Sequence, residues 1–191
     1  MIKFIETFTP KQSDLILDIG GTAFNWNLIN YKHPLTLLNL SIPSNADKLS
    51  KKFSCVAGDG TNMKYKDKQF DIVFSNSVIE HVGTFENQVK FAKEVCRVGK
   101  RLWIQTPAKE FFFEPHYLTP FVHWLPKSWQ KKILKFSLWA LVAKASTDFI
   151  NNSVENTRLL TFAECKKLFP QCRIRKERFL LMTKSYVIEK T

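Results

Sequence analysis

Phe70-Asp71-Ile72-Val73-Phe74-Ser75-Asn76-Ser77-Val78-Ile79-Glu80-His81-Val82 is a buried-strand pattern that stops abruptly in a polar turn, and the turn ends in an acid beside a histidine. Upstream, Leu15-Ile16-Leu17-Asp18-Ile19-Gly20-Gly21-Thr22 has the same form, an apolar run giving way to small and polar residues. Working outward, further short apolar runs occur at Leu35–Leu40, Phe53–Ala57 and Arg101–Thr106, alongside Asp14–Ile19 and Phe70–Ser75. None shows clean alternation, as expected of strands covered on both faces. Helix signals separate them. Thr22–Tyr31 and Asn45–Lys52 are plausible short helices, and Thr84 caps a longer one in which Phe85, Val89, Ala92 and Cys96 share a face until Gly99 stops it. Alternating strands and helices predict an α/β, doubly wound, mostly parallel sheet.

Near the C-terminus, Thr161-Phe162-Ala163-Glu164 reads as a capping box, and Pro170 ends the helix it starts. Arg173–Leu181 and Lys184–Glu189 read as two further strands, an antiparallel hairpin that completes a seven-stranded sheet. The 191 residues suit one domain spanning 1–191.

Residues 108–152 break the alternation and are expected to form a helical cap inserted after the fifth strand, recognising substrate. Aromatic residues and prolines are dense there, and Trp129–Ala145 reads as one helix, amphipathic at first and then apolar nearly all round. It has too few uninterrupted apolar residues to span a bilayer. Two readings stand for it: a buried helix of the cap, or an interfacial helix in peripheral contact with a membrane.

A hydrophobic fraction of 45% with 24% charged residues excludes a disordered chain. The N-terminus lacks the apolar core and cleavage site of a secretory signal. Cys55, Cys96, Cys165 and Cys172 have no CxxC pairing, which suggests reduced thiols in a cytoplasmic protein. The net charge of +12 fits either a lysine-rich surface or attraction to phosphates, and the lysines are spread along the chain. His, Cys and Glu do not recur at metal-ligand spacing, so no metal is expected.

In an open parallel sheet, ligands bind beyond the carboxyl ends of the strands. Those ends carry Asp18-Ile19-Gly20-Gly21-Thr22, Asn39-Leu40-Ser41, Gly58-Asp59-Gly60, Ser75-Asn76-Ser77 and Gln105-Thr106-Pro107. Small and polar residues at all five ends point to a cleft. Past them, Phe113-Glu114-Pro115-His116-Tyr117 and His123 lie where the chain can fold over that cleft. Glu114 and His116 point the same way if the chain is extended, giving a carboxylate-oriented histidine.

The glycine turn and the Phe70–Val82 stretch together resemble class I S-adenosylmethionine-dependent methyltransferases, the type 11-like small methyltransferase domains. The resemblance is good over 14–107 and a matter of pattern over 155–190. It implies a Rossmann-like fold, S-adenosyl-L-methionine as cofactor and a methyl-transfer reaction. It also implies roles for residues at the strand ends. Gly20 and Gly21 admit the cofactor's amino-acid end, and Asp18 orients the loop or accepts from the ligand's ammonium. Thr22 stands where the family usually has a further glycine. Asn39 takes the place of the usual ribose-binding acid, with Ser41 near it or with Asn39 simply turning the chain. Asp59 accepts from the adenine amino group between Gly58 and Gly60, with Met63 closing over the ring. Ser75, Asn76 and Ser77 line the point where the methyl group emerges. The base expected for a hydroxyl acceptor is His116 with Glu114, followed by His123 and His81 on equal footing, and Glu80-His81 marks the family more than the catalyst.

The cap resembles that of small methyltransferases associated with bacterial surface polysaccharides or lipid modification. This points to O-methylation of a small-molecule, saccharide or lipid-linked acceptor. Two alternatives remain: an inactive cofactor-binding scaffold, and an RNA methyltransferase, although the chain lacks the Asn/Asp-Pro-Pro-aromatic turn of base-amino methylation. A nicotinamide dehydrogenase fails on both glycine spacing and the missing acid.

Overall fold

The computed structural model describes residues 1–114, 117–142 and 144–191. Its centre is a seven-stranded sheet in the order β3-β2-β1-β4-β5-β9-β8. The strands are β1 (Ile16–Ile19), β2 (Leu35–Asn39), β3 (Phe53–Ala57), β4 (Phe70–Asn76), β5 (Gly99–Pro107), β8 (Arg173–Phe179) and β9 (Met182–Lys190). The first five are parallel, and β9 runs antiparallel to both β5 and β8. The expected fold class and terminal hairpin are therefore both present. Chain order reverses at β1, which has β2 on one side and β4 on the other, so a crevice opens between their ends.

Side-chain alternation splits β1 between two cores. Leu17 and Ile19 face a cluster built with α3 (Phe85–Val98) and α7 (Phe162–Leu168), in which Phe91, Val95 and Cys165 are fully buried. Ile16 faces a second, aromatic cluster under α1 (Ile2–Phe8) and α2 (Ala23–Leu28), with Phe4, Phe8, Trp26, Phe74 and Trp103 packed edge to face or tilted. Fully burying each such side chain contributes about 1.5–3 kcal/mol. The first helix, α1, has Met1 at its N-cap with no side-chain cap bond and so has no start signal in the sequence.

The caps expected from sequence form. Thr84 accepts the Asn87 amide, and Thr161 and Glu164 satisfy each other's amides in a complete capping box. Asn45–Lys52, expected as a helix, holds instead a single 3-10 turn at Ala46–Lys48. Trp129–Ala145 is not one helix. The chain forms α4 (Lys127–Lys135) and then α5 (Leu138–Val142), with the Ser137 hydroxyl donating to the Leu134 carbonyl and accepting the Ala140 amide at the break. Serine makes these local bonds because its hydroxyl competes with the helix backbone.

The rest of the cap region contains the two-residue strands β6 (Phe113–Glu114) and β7 (Thr119–Pro120) and the helix α6 (Thr147–Asn156). Its own small core is Tyr117, Val122, Leu134, Ala140, Ile150 and Val154. No helix among the described residues is long and apolar enough to cross a membrane.

Candidate active site at the strand ends

A cleft of about 970 Å3 opens at the carboxyl ends of β1, β2 and β3. Gly20, Gly21, Thr22, Asn39, Ser41, Asp59 and Gly60 all line it, as does His81. The first turn explains two of its glycines. Gly20 has φ +74, and a Cβ there would meet Val78 Cγ2 at 2.4 Å. A Cβ on Gly21 would fall 1.6 Å from Asp18 Oδ2, so the turn lies directly on that carboxylate.

Asp18 is 2% exposed and does not line the cleft. It shares the aromatic face of β1 with Ile16. Oδ2 accepts the Trp26 indole N–H at 2.6 Å, and Oδ1 has no hydrogen-bond partner among the described residues. Burial raises its pKa to about 7, against the lowering effect of the Trp26 bond. Of the two roles expected, this geometry serves the orienting of the loop. Asn39 Nδ2 donates to the Gly21 carbonyl at 3.0 Å, so it ties the second strand end to the same turn and still faces the cleft.

Asp59 Oδ1 accepts both the amide and the hydroxyl of Thr61 at 2.8 Å, and Oδ2 makes no hydrogen bond among the described residues. Beneath it, a Cβ on Gly60 would press on Phe91 and Ile19 at 3.0–3.1 Å. The chain can approach that apolar floor because the residue is glycine.

Other expected residues lie elsewhere. Ser75 is fully buried, and its hydroxyl donates to the Ile19 carbonyl at 3.2 Å. It faces the inner core because it is one residue out of phase with Phe74. It joins β4 to β1 and does not line the cleft. Asn76 is exposed at the mouth of a different cavity, of about 460 Å3, beside Met1, Ile2 and Trp103. Ser77 is held by Gln105, its hydroxyl 3.0 Å from the amide oxygen. Met63 is core, with its amide bound to Glu94 at 2.6 Å, and does not cover the cleft.

The acid-histidine pair divides its labour. Glu80 is fully buried, where Oε2 accepts the Thr106 hydroxyl at 2.9 Å and its carbonyl accepts the Arg158 amide at 2.7 Å. These bonds fix the turn at Ile79–His81 against β5 and the entry to α7. His81 then emerges into the cleft, with Nδ1 3.3 Å from the Thr157 hydroxyl.

Glu114 and His123 come together, but in a separate hollow of about 180 Å3 that they share with Thr157 and Arg158. Glu114 is buried and accepts the Tyr117 amide at 2.9 Å. His123 Nε2 lies 3.1 Å from the Lys109 carbonyl, so that nitrogen carries the proton. Burial lowers its pKa, leaving the ring neutral at physiological pH. His116, the first-ranked base, lies outside the described residues. Among the residues it describes, the structure puts His81 in the cleft wall and the cap pair Glu114 and His123 in the separate hollow. Thr157, which touches both sites, carried no sequence signal. Phe24 and Asn27, also in the lining, were legible as the outward face of α2, one turn apart and opposite Trp26.

The cleft fits the cofactor that the strand-end residues imply. Its floor is apolar under Gly60, an acid stands beside that floor, and the glycine turn packs without side chains against Asp18.

Comparison with known proteins agrees with this architecture. The family model described as a methyltransferase domain matches residues 17–102. A S-adenosylmethionine-dependent methyltransferase from Methanosarcina mazei superposes with a TM-score of 0.55 at 17% identity, covering 97% of this chain and 95% of that one. One from Aquifex aeolicus gives 0.57 at 14% identity, over 98% and 87%. A Rhodobacter sphaeroides structure described as a putative zinc-dependent alcohol dehydrogenase gives 0.61 at 13% identity, over 98% and 86%. At these identities the likeness is one of fold, and activity must be argued from the site. Over residues 17–102 the chain is similar to methyltransferase domains, and the fold it shares with these structures is that of S-adenosylmethionine-dependent methyltransferases.

Proposed function

We propose that the cleft binds S-adenosyl-L-methionine and that the protein transfers its methyl group to a hydroxyl of a small-molecule, saccharide or lipid-linked acceptor. The observation that carries the reading is the convergence of three strand ends, the glycine turn and His81 on one cleft. Bound there, the cofactor supplies a methyl group on a sulfonium that is its own leaving group. What remains for the protein is alignment, exclusion of water and removal of the acceptor's proton.

In this reading Asp18 holds the glycine turn from below, and Asn39 fixes it from the second strand. Asn39 also offers its amide oxygen to a ribose hydroxyl, and Ser41 offers a second polar contact. Asp59 accepts from the adenine amino group. His81, oriented by Thr157, takes the proton of the acceptor hydroxyl, and Glu80 is a positioning residue for it. Glu114 and His123 line the acceptor's approach from the cap. Residues 108–152 thus recognise the acceptor rather than the cofactor.

A screen of cofactor-dependent methyl transfer to sugars, lipid-linked sugars, quinone precursors and RNA tests this. Turnover on a hydroxyl acceptor supports it, with His81→Ala lowering kcat more than it raises the KM for cofactor. Cofactor binding without turnover on any acceptor would favour a scaffold, and turnover confined to RNA would reassign the acceptor.

A further inference from the structure

The cap presents an apolar surface that its own fold does not cover. On α4, Leu134 is buried in the cap core while Trp129, Ile133 and Phe136 recur at i, i+4 and i+7 on another face, with Phe136 91% exposed. On α5, Ala140 is buried while Leu138, Leu141 and Val142 are 74–82% exposed. Both helices therefore have two apolar faces, one turned inward and one turned to solvent. Soluble surfaces rarely leave so large a contiguous apolar patch without a partner.

Further exposed aromatic residues lie in the cap and at the end of the sheet. Ring contacts run from Trp124 to Phe121, Phe112, Phe111 and then Phe179. Phe179 stands at the tip of the β8–β9 hairpin, where Leu180 and Leu181 are 81% and 94% exposed. Hairpin tip and cap thus meet across the buried Phe111 ring.

Charge indicates what covers it. Residues 117–147 contain five lysines and no Asp or Glu. Lys127 and Lys131 are held by Glu155 from α6, at 3.0 and 2.5 Å. Lys132 and Lys135 are exposed along the border of the Trp129–Phe136 stripe and form no salt bridge among the described residues. A second copy of the chain would bring the same lysines and repel. An anionic bilayer surface offers both complements, headgroup charge for the lysines and an acyl boundary for the apolar stripe.

We propose that this face docks the protein on an anionic phospholipid surface, with α4 and α5 lying in the interface and the cleft held beside it. The proposal stands apart from the methyl-transfer reading, because docking is measured without cofactor.

Co-sedimentation with mixed phosphatidylcholine–phosphatidylglycerol vesicles and with pure phosphatidylcholine vesicles tests it. The wild type should sediment with the mixed vesicles far more than with the neutral ones, and added salt should release it. Lys132→Glu with Lys135→Glu should weaken binding at least about tenfold. Trp129→Ser with Phe136→Ser, at positions where the side chains are exposed, should weaken it by a similar factor while leaving circular dichroism unchanged. Absence of binding to the mixed vesicles would overturn the proposal. So would binding that ignores the apolar pair, or a dimer in solution that this pair converts to monomer, since the face would then belong to a second copy.

Discussion

The sheet half and the cap of this molecule are built by different rules. In the sheet half, the central strands β1, β4 and β5 bury both faces, so strand direction fixes where their terminal residues point and a cleft follows from the topology. In the cap, short helices joined by Pro and Ser leave one apolar face inside and another outside. The lesson concerns where function is written. A residue at a strand end is placed by the backbone register, whereas Glu114, His123 and Thr157 are placed by packing among segments far apart in sequence.

That contrast makes separable predictions. The largest concerns the one histidine of the described residues that lines the cleft. His81→Ala should reduce kcat about 10^2–10^4-fold on a hydroxyl acceptor, the range of general-base catalysis. If His123→Ala instead produces this effect, the base lies in the cap.

Next comes Trp26→Ala, which removes a fully buried indole and the N–H that Asp18 accepts. It should cost about 3–5 kcal/mol in chemical denaturation and abolish cofactor binding through the glycine turn. Retained binding would show that the turn does not depend on the aromatic floor beneath Asp18.

Asp18 also predicts a pH dependence of folding. Its carboxyl has a folded pKa raised from 3.8 to about 7 by burial, so the folded state holds a proton that the unfolded state releases between those values. Stability should therefore fall as pH rises from about 4 to 7, by up to about 4 kcal/mol from this group. Asp18→Asn should flatten that slope in melting curves, and an unchanged slope would assign it to another group. The smallest effect is Thr161→Ala, which opens the capping box of α7 and should cost about 1 kcal/mol.

The sheet half was legible because its signals are local. Apolar runs, Gly99, Thr84 and the Thr161–Glu164 box each act within a few residues, and the expected strands of the parallel set differ from the observed ones by no more than two residues at any end. Ser75 and Asn76 were misplaced because the sequence shows where a strand ends but not which face its last residues take. One residue of phase buries Ser75 against Ile19 and sends Asn76 to another cavity. Trp129–Ala145 reads as continuous because Ser137 is compatible with a helix, and its hydroxyl bonds show the break only in three dimensions. Glu80 looks like a partner of His81 in sequence. In the fold the acid is turned into the core, to Thr106.

The central claim is that the strand-end cleft is a S-adenosyl-L-methionine site, and equilibrium dialysis with labelled cofactor tests it most directly. The account predicts saturable binding at one site per chain, displaced by S-adenosyl-L-homocysteine and not by a nicotinamide dinucleotide, and weakened by Asp59→Ala. Absence of binding at millimolar cofactor, or displacement by the dinucleotide, would contradict it.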